Sequence, residues 1–156
     1  MPHILISSCL LNIKTQYNEG CENYEELKTL VKEGKAIFAC PEQLGGLSTP
    51  RPYCTIEHGK TAADVLKGNG RVVNIDGEDR TKEYVQGAKY VLNICKTYGI
   101  DTVILKARSP ACGSQQVSDG TFSKTKISGK GILAELLSQN GLVIYNEENY
   151  PKSILN

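Results

Sequence analysis

The chain has 156 residues, 40% of them apolar and 22% charged, enough for one globular domain with a substantial core. Eighteen lysines and arginines against seventeen aspartates and glutamates leave a formal charge of +1, which removes the electrostatic argument for a nucleic-acid or anionic-membrane partner. No apolar run approaches the ~18 residues of a membrane span, and Met1-Pro2-His3 opens without a basic leader, so a cytoplasmic location is expected.

The expected elements begin with a short apolar strand, His3 to Ser8, running straight into Cys9. Residues 10–22 read as a loop. Asn23 is a plausible N-cap for a helix whose apolar face carries Tyr24, Leu27, Leu30 and Val31, ended by Gly34. Ala36 to Ala39 is a second buried strand, followed at once by Cys40. Residues 41–60 hold three prolines and three glycines and read as one long functional loop. Residues 71–79 look like a third strand ending at a turn. Thr81 caps a long helix over residues 82–98, stopped by Gly99. Asp101 to Lys106 makes a fourth strand leading toward Cys112, and a helix over residues 130–139 precedes a last strand, residues 142–145. Strand and helix alternate, which is the pattern of an α/β fold: a single Rossmann-like, three-layer domain over residues 1–156 with a short, mostly parallel sheet.

Six cysteines, Cys9, Cys21, Cys40, Cys54, Cys95 and Cys112, form no CxxC pair, so zinc-ribbon and thioredoxin signatures are absent. In a reducing compartment they read as metal ligands, reactive thiols or small buried hydrophobes rather than disulfides. Cys9, Cys40 and Cys112 each follow a strand. If those strands are parallel, all three lie at one edge of the sheet, where α/β folds bind ligands. Three thiolates without a fourth suit a zinc ion with one open position or a [4Fe–4S] cluster with one free iron, and spacing alone leaves the two level. Buried structural thiols are the bland alternative, though turns such as Pro110-Ala111-Cys112-Gly113 are poor places for mere packing.

The stretches "SSCLL", "CPEQLGGLSTPRP", "GEDRT", "ILKARSPACGS" and "DGTFS" together resemble the domain of unknown function 523 family, which includes the 2-thiouracil desulfidases; the resemblance runs from Met1 to about Tyr145. It implies a [4Fe–4S] cluster bound by Cys9, Cys40 and Cys112, with the sulfur of a thiolated pyrimidine meeting the open iron. Water attack on the activated carbon would then give the oxo base and hydrosulfide with no net electron transfer. No Gly-x-Gly-x-x-Gly run follows the first strand, so neither flavin nor nicotinamide is expected.

Glu42, two residues past Cys40, is the first choice for the carboxylate that activates water, its position alone fitting a solvated loop residue equally well. Ser109 is a candidate to hold water or substrate, although serine before proline is also a common turn former. Gly45, Gly46 and Gly113 are candidates to bring backbone amides close to cluster sulfides or a ligand. Arg51 orients substrate or forms an ion pair, and Tyr17 lies in a loop that lines the pocket by the resemblance. That loop departs from the family run, which has cysteine and arginine before the tyrosine where this chain has Thr15-Gln16. Tyr53-Cys54 likewise stands where the family more often has proline and alanine, which could reshape the pocket mouth. Cys95 reads as helix core, and His3 and His58 are badly spaced for a metal site or triad. The leading expectation is a [4Fe–4S]-dependent desulfidase acting on a small thiolated nucleobase. Its alternatives are a non-catalytic zinc or iron–sulfur sensor and a metal-free thiol enzyme using Cys112.

Overall fold

Apolar alternation along the strands decides how the central sheet is covered. The computed structural model describes all residues, Met1–Asn156. Strand β1 (Ile4–Ser7) pairs in parallel with β2 (Ala36–Ala39) on one side and β5 (Thr102–Leu105) on the other, and β8 (Val143–Asn146) pairs in parallel with β5. The sheet order is β2-β1-β5-β8. Successive side chains point to opposite faces. Leu5, Val103 and Leu105 therefore enter one core with helices α3 (Ala62–Leu66), α4 (Thr81–Tyr98) and α5 (Ile132–Gln139), while Ile4, Ile6 and Ile104 enter another with helix α1 (Glu25–Lys32). The expected three-layer arrangement follows directly from this alternation.

Both faces of β1 and β5 are closed to solvent, which is why these strands read as continuous apolar runs. Their carboxyl ends, with that of β2, all point to one edge. Ser7 stands level with Ala39, so Cys9 and Cys40 leave adjacent strands within two residues of each other's height. Ser7 also stitches the neighbouring strand: its hydroxyl accepts from the Lys106 amide at 2.9 Å and donates to Cys112 Sγ at 3.5 Å.

Several elements differ from expectation. Residues 41–60 are not one loop, because helix α2 (Pro41–Leu44) and strand β3 (Cys54–Ile56) lie within them. Pro41 occupies the first turn of α2, where a missing N–H costs nothing. The expected third strand is real but short, β4 (Val72–Asn74); it forms a separate antiparallel pair with β3 instead of joining the main sheet. Helix α3 was not anticipated, yet Thr61 and Asp64 form a capping box at its start. A hairpin of β6 (Gln116–Ser118) and β7 (Lys126–Ser128) was also missed. Asn23 does not cap α1, since Tyr24 holds the N-cap position and the Asn23 amide donates to Glu25 instead. Thr81 is the first residue of α4 rather than its cap; its hydroxyl accepts from the Val72 amide and so ties β4 to the helix. His3 lies just before β1 and is exposed.

Helices α2 and α4 touch backbone to backbone. A Cβ on Gly87 would fall on the Pro41 carbonyl oxygen, and one on Gly45 would fall on the Glu83 carbonyl oxygen. This contact sets where α2, and with it Cys40 and Glu42, sits relative to the sheet edge.

Candidate functional site

A cavity of about 270 Å³ opens at the carboxyl ends of β1, β2 and β5. Cys9, Cys40 and Cys112 all line it, together with Glu42, Arg51, Ser109, Tyr17 and Lys106. Cys9 sits in a single 3₁₀ turn, Ser8–Leu10, that bends β1 away from the sheet. Cys40 follows β2 and precedes α2, its thiol 3.8 Å from the Thr15 carbonyl. Cys112 rides on a turn closed by Ser109, whose Oγ accepts from the amides of Ala111 and Cys112, both at 3.1 Å. The first amides of α5 hold the same turn, Ile132 donating to the Pro110 carbonyl and Leu133 to that of Ala111. The unpaired N–H groups of that helix start thus anchor the cysteine turn.

Burial raises all three thiols despite the opposing charges of Lys106 near Cys9 and Arg51 near Cys40. It pushes Cys9 up to about 12, raises Cys40, and carries Cys112 well above the usual thiol range, with the nearby Glu42 charge adding to each shift. A buried neutral Cys112 is a poor free nucleophile, which counts against a metal-free thiol mechanism.

Glu42 and Arg51 form a buried ion pair, Nη2 to Oε2 3.2 Å, and the Tyr84 hydroxyl donates to the same Oε2 at 3.0 Å. Arg51 also donates through Nη2 to the Thr15 carbonyl and through Nη1 to the Ser48 carbonyl and Thr49 Oγ1. Three of its five hydrogens are therefore hydrogen-bonded, Nη2 also meets Glu42 in the ion pair, and the buried Nε has no partner in the protein. Of the two roles weighed for Arg51, the ion pair is what the structure displays. Across the cavity Lys106 Nζ sits 2.8 Å from Glu147 Oε2 and 3.4 Å from Glu22 Oε1. Burial opposes that charge, but the two carboxylates raise the ammonium above its ordinary value.

Three expected residues lie elsewhere. Gly45, Gly46 and Gly113 do not line the cavity, and their amides are taken by the carbonyls of Pro41, Gln43 and Ser109. Gly45 and Gly113 instead allow close backbone packing, and Gly46 adopts φ 100° to leave α2. Cys95 is in the core, Cys54 is buried beneath Arg51 and Tyr84, and Cys21 bonds only to Asn12. Lys106 and Tyr84 carried no role in the sequence reading. Lys106 was within reach, being the first residue past β5; Tyr84 looked like apolar helix face, and only its need for a hydroxyl partner when buried signalled more.

The donor set can be tested against the group it resembles. No three His, Cys, Asp or Glu side chains converge closely enough to share one metal ion. Three soft thiols around one cavity, a buried guanidinium with a spare N–H and a nearby ammonium suit an anionic, sulfide-rich cluster.

The sequence matches the family described as 2-thiouracil desulfurase over residues 4–149. The chain belongs to the 2-thiouracil desulfurase family. It is 46% identical over 144 residues to the uncharacterized protein YbbK of Bacillus subtilis (strain 168), covering 92% of this chain and 95% of that one. The solved structure of the [4Fe-4S]-dependent thiouracil desulfidase TudS superposes with a TM-score of 0.84 at 32% identity, covering 97% of this desulfurase-family chain and 95% of TudS. No helix is long and apolar enough to cross a membrane.

Proposed function

We propose that this chain is a [4Fe–4S]-dependent desulfidase that converts a thiolated nucleobase such as 2-thiouracil into its oxo form, releasing hydrosulfide. The observation that carries the reading is one cavity lined by three strand-end thiols and a buried, oriented carboxylate, in a fold shared with TudS. Cys9, Cys40 and Cys112 would hold the cluster. When bound, it supplies a soft Lewis acid for the thiocarbonyl sulfur, which makes the attached carbon more electrophilic.

The remaining chemistry belongs to the chain. Glu42 takes a proton from the attacking water. Its Oε2 is occupied by Arg51 and Tyr84, so Oε1 is the oxygen left to accept that proton. Ser109 already accepts two amide hydrogens, which leaves its own hydrogen free to donate toward water or substrate. The water oxygen replaces sulfur on the carbon, its hydrogens leave with hydrosulfide and a proton, and no electrons change hands.

The test is iron, zinc and acid-labile sulfide per chain after oxygen-free purification, with turnover of 2-thiouracil. Near four iron and four sulfide with turnover supports the reading. Cys9→Ser, Cys40→Ser and Cys112→Ser should each lose cluster and activity together. About one zinc without sulfide would overturn it, and loss of activity confined to Cys112→Ser would favour a thiol enzyme.

A further inference from the structure

The mouth of the cavity carries an aromatic group that the chemistry above does not use. Tyr53, just before β3, contributes to the cavity wall, and so does Tyr17. Their ring centroids are 5.2 Å apart at an interplanar angle of 72°, and Phe122 approaches Tyr53 from the β6–β7 hairpin at 6.1 Å and 74°. Both contacts are edge-to-face, so no ring of the protein lies parallel to Tyr53. Lys126 Nζ is 5.9 Å from the Tyr53 centroid and 3.4 Å from its hydroxyl. The hydroxyl contact is the shorter of the two, so the ammonium lies toward the hydroxyl end of the ring rather than over its centre.

The hairpin is built to bring Phe122 there. Phe122 has φ 60° and Lys124 φ 67°, left-handed values that a bulky side chain rarely adopts. A run of hydroxyl contacts fixes this tip, from Asp119 Oδ1 to Thr121 at 2.6 Å, on to Ser123 at 2.6 Å and to Thr125 at 2.9 Å. Backbone strain held in place by such a network marks a position the fold maintains for use. Its visible result is an aromatic ring bracing Tyr53.

We infer that Tyr53 determines specificity: braced by Tyr17 and Phe122, its ring is the wall on which a flat, single-ring thiolated base stacks. The inference rests on the desulfidase reading and names how the ring, rather than the sulfur, is recognised. A cavity of about 270 Å³ is at the small end for ligand sites, and it must also hold the cluster. That favours one ring over a fused pair. Stacking on a tyrosine face is indifferent to which ring edge carries the sulfur, so it positions the base without competing for the reacting atoms.

The experiment compares wild type, Tyr53→Ala, Tyr53→Phe and Phe122→Ala as cluster-loaded protein, with KM and kcat for 2-thiouracil and calorimetric Kd for uracil, a flat base without sulfur. Tyr53→Ala is expected to raise both KM and Kd by about tenfold or more, with kcat within about threefold and iron content unchanged. Tyr53→Phe should recover most of that affinity, and Phe122→Ala should fall between. The inference is overturned if Tyr53→Ala leaves KM and Kd unchanged, if Tyr53→Phe is as damaging as alanine, or if the wild type binds no uracil. Should Tyr53→Ala fail to fold, Tyr53→Leu decides by the same criteria, since it restores bulk without a flat face. Uracil binding that depends on Tyr53 in a chain that does not turn over 2-thiouracil would remove the desulfidase reading and leave the stacking wall standing.

Discussion

Glu42 is gripped through one carboxylate oxygen and left open at the other, an asymmetry that separates orientation from reactivity. Glu42→Gln keeps the shape but cannot take a proton, so kcat for 2-thiouracil should fall about 100-fold or more, with iron and sulfide per chain unchanged. Tyr84→Phe removes one of the two donors on Oε2 and leaves Arg51. Its expected effect is a roughly tenfold or smaller loss in kcat at constant KM, read in the same steady-state assay. A fall in iron content in either variant would show that these side chains support the fold of the site rather than its chemistry. At this scale the sequence was informative wherever chemistry coincided with a strand end: Cys9 and Cys40 stand out by their place directly after β1 and β2, whereas Glu42, which by position alone fits a solvated loop residue equally well, was singled out by the family resemblance. It was silent where a polar tip sits on an apolar body. Tyr84 occupies a helix position that satisfies the pattern of a core residue, and its hydroxyl contact with Glu42 exists only once α2 and α4 are docked.

Helix α2 owes its position to two glycines facing across the α2–α4 contact. Gly87→Ala forces a methyl group onto the Pro41 carbonyl, and backbone cannot yield as a flexible side chain can. The expected cost is about 1–3 kcal/mol of stability by urea denaturation. Because α2 carries Glu42 and follows Cys40, the same variant should also lose activity and hold less iron. Helix α3 depends on its start. Thr61→Ala removes the capping box and should lower the melting temperature by a few degrees at neutral pH. Hydrogen bonds from Thr61 hold the Asp64 carboxyl below its ordinary value of 3.8. A lowered folded value gives stability that is present above about pH 4 and lost as the pH falls further, so melting curves of wild type and variant should draw together in acid. Neither α2 nor α3 was visible to periodicity, being four and five residues long amid prolines and glycines. The capping residues of α3 were there to be read, since Thr61 and Asp64 stand at the right spacing. The β3–β4 pair shows the opposite difficulty. Its second strand was recognised locally, but nothing in a three-residue run tells whether it joins the main sheet.

Across the whole molecule, the alternation of strands with helices along the chain made the α/β fold legible before any pairing was known, and the division of β1 and β5 side chains between two cores is what closes both faces of the sheet. Cys95 belongs to the larger core, where burial pushes its thiol from 9.0 up to about 11. The unfolded chain releases that proton first as the pH rises. The contribution is complete below about pH 9 and is lost as the pH climbs through 11, with a magnitude of roughly 2–3 kcal/mol. Melting temperatures recorded from pH 7 to 11 should therefore decline above pH 9 in wild type and decline less steeply in Cys95→Ala.

The strand order also fixes a schedule. Strand β1 is made first, yet one of its two neighbours, β5, is made after α4, and Cys112 comes later still. A nascent chain that has left the ribosome only as far as α4 carries two of the three thiols and a bare β1 edge: Ile4 and Ile6 already have α1 beside them, but the backbone groups of β1 on the β5 side still await a partner. It has no means of retaining a three-thiolate cofactor. If Cys9, Cys40 and Cys112 hold the cluster as proposed, its retention awaits synthesis of the Cys112 turn and the docking of α5 behind it, an order imposed by topology.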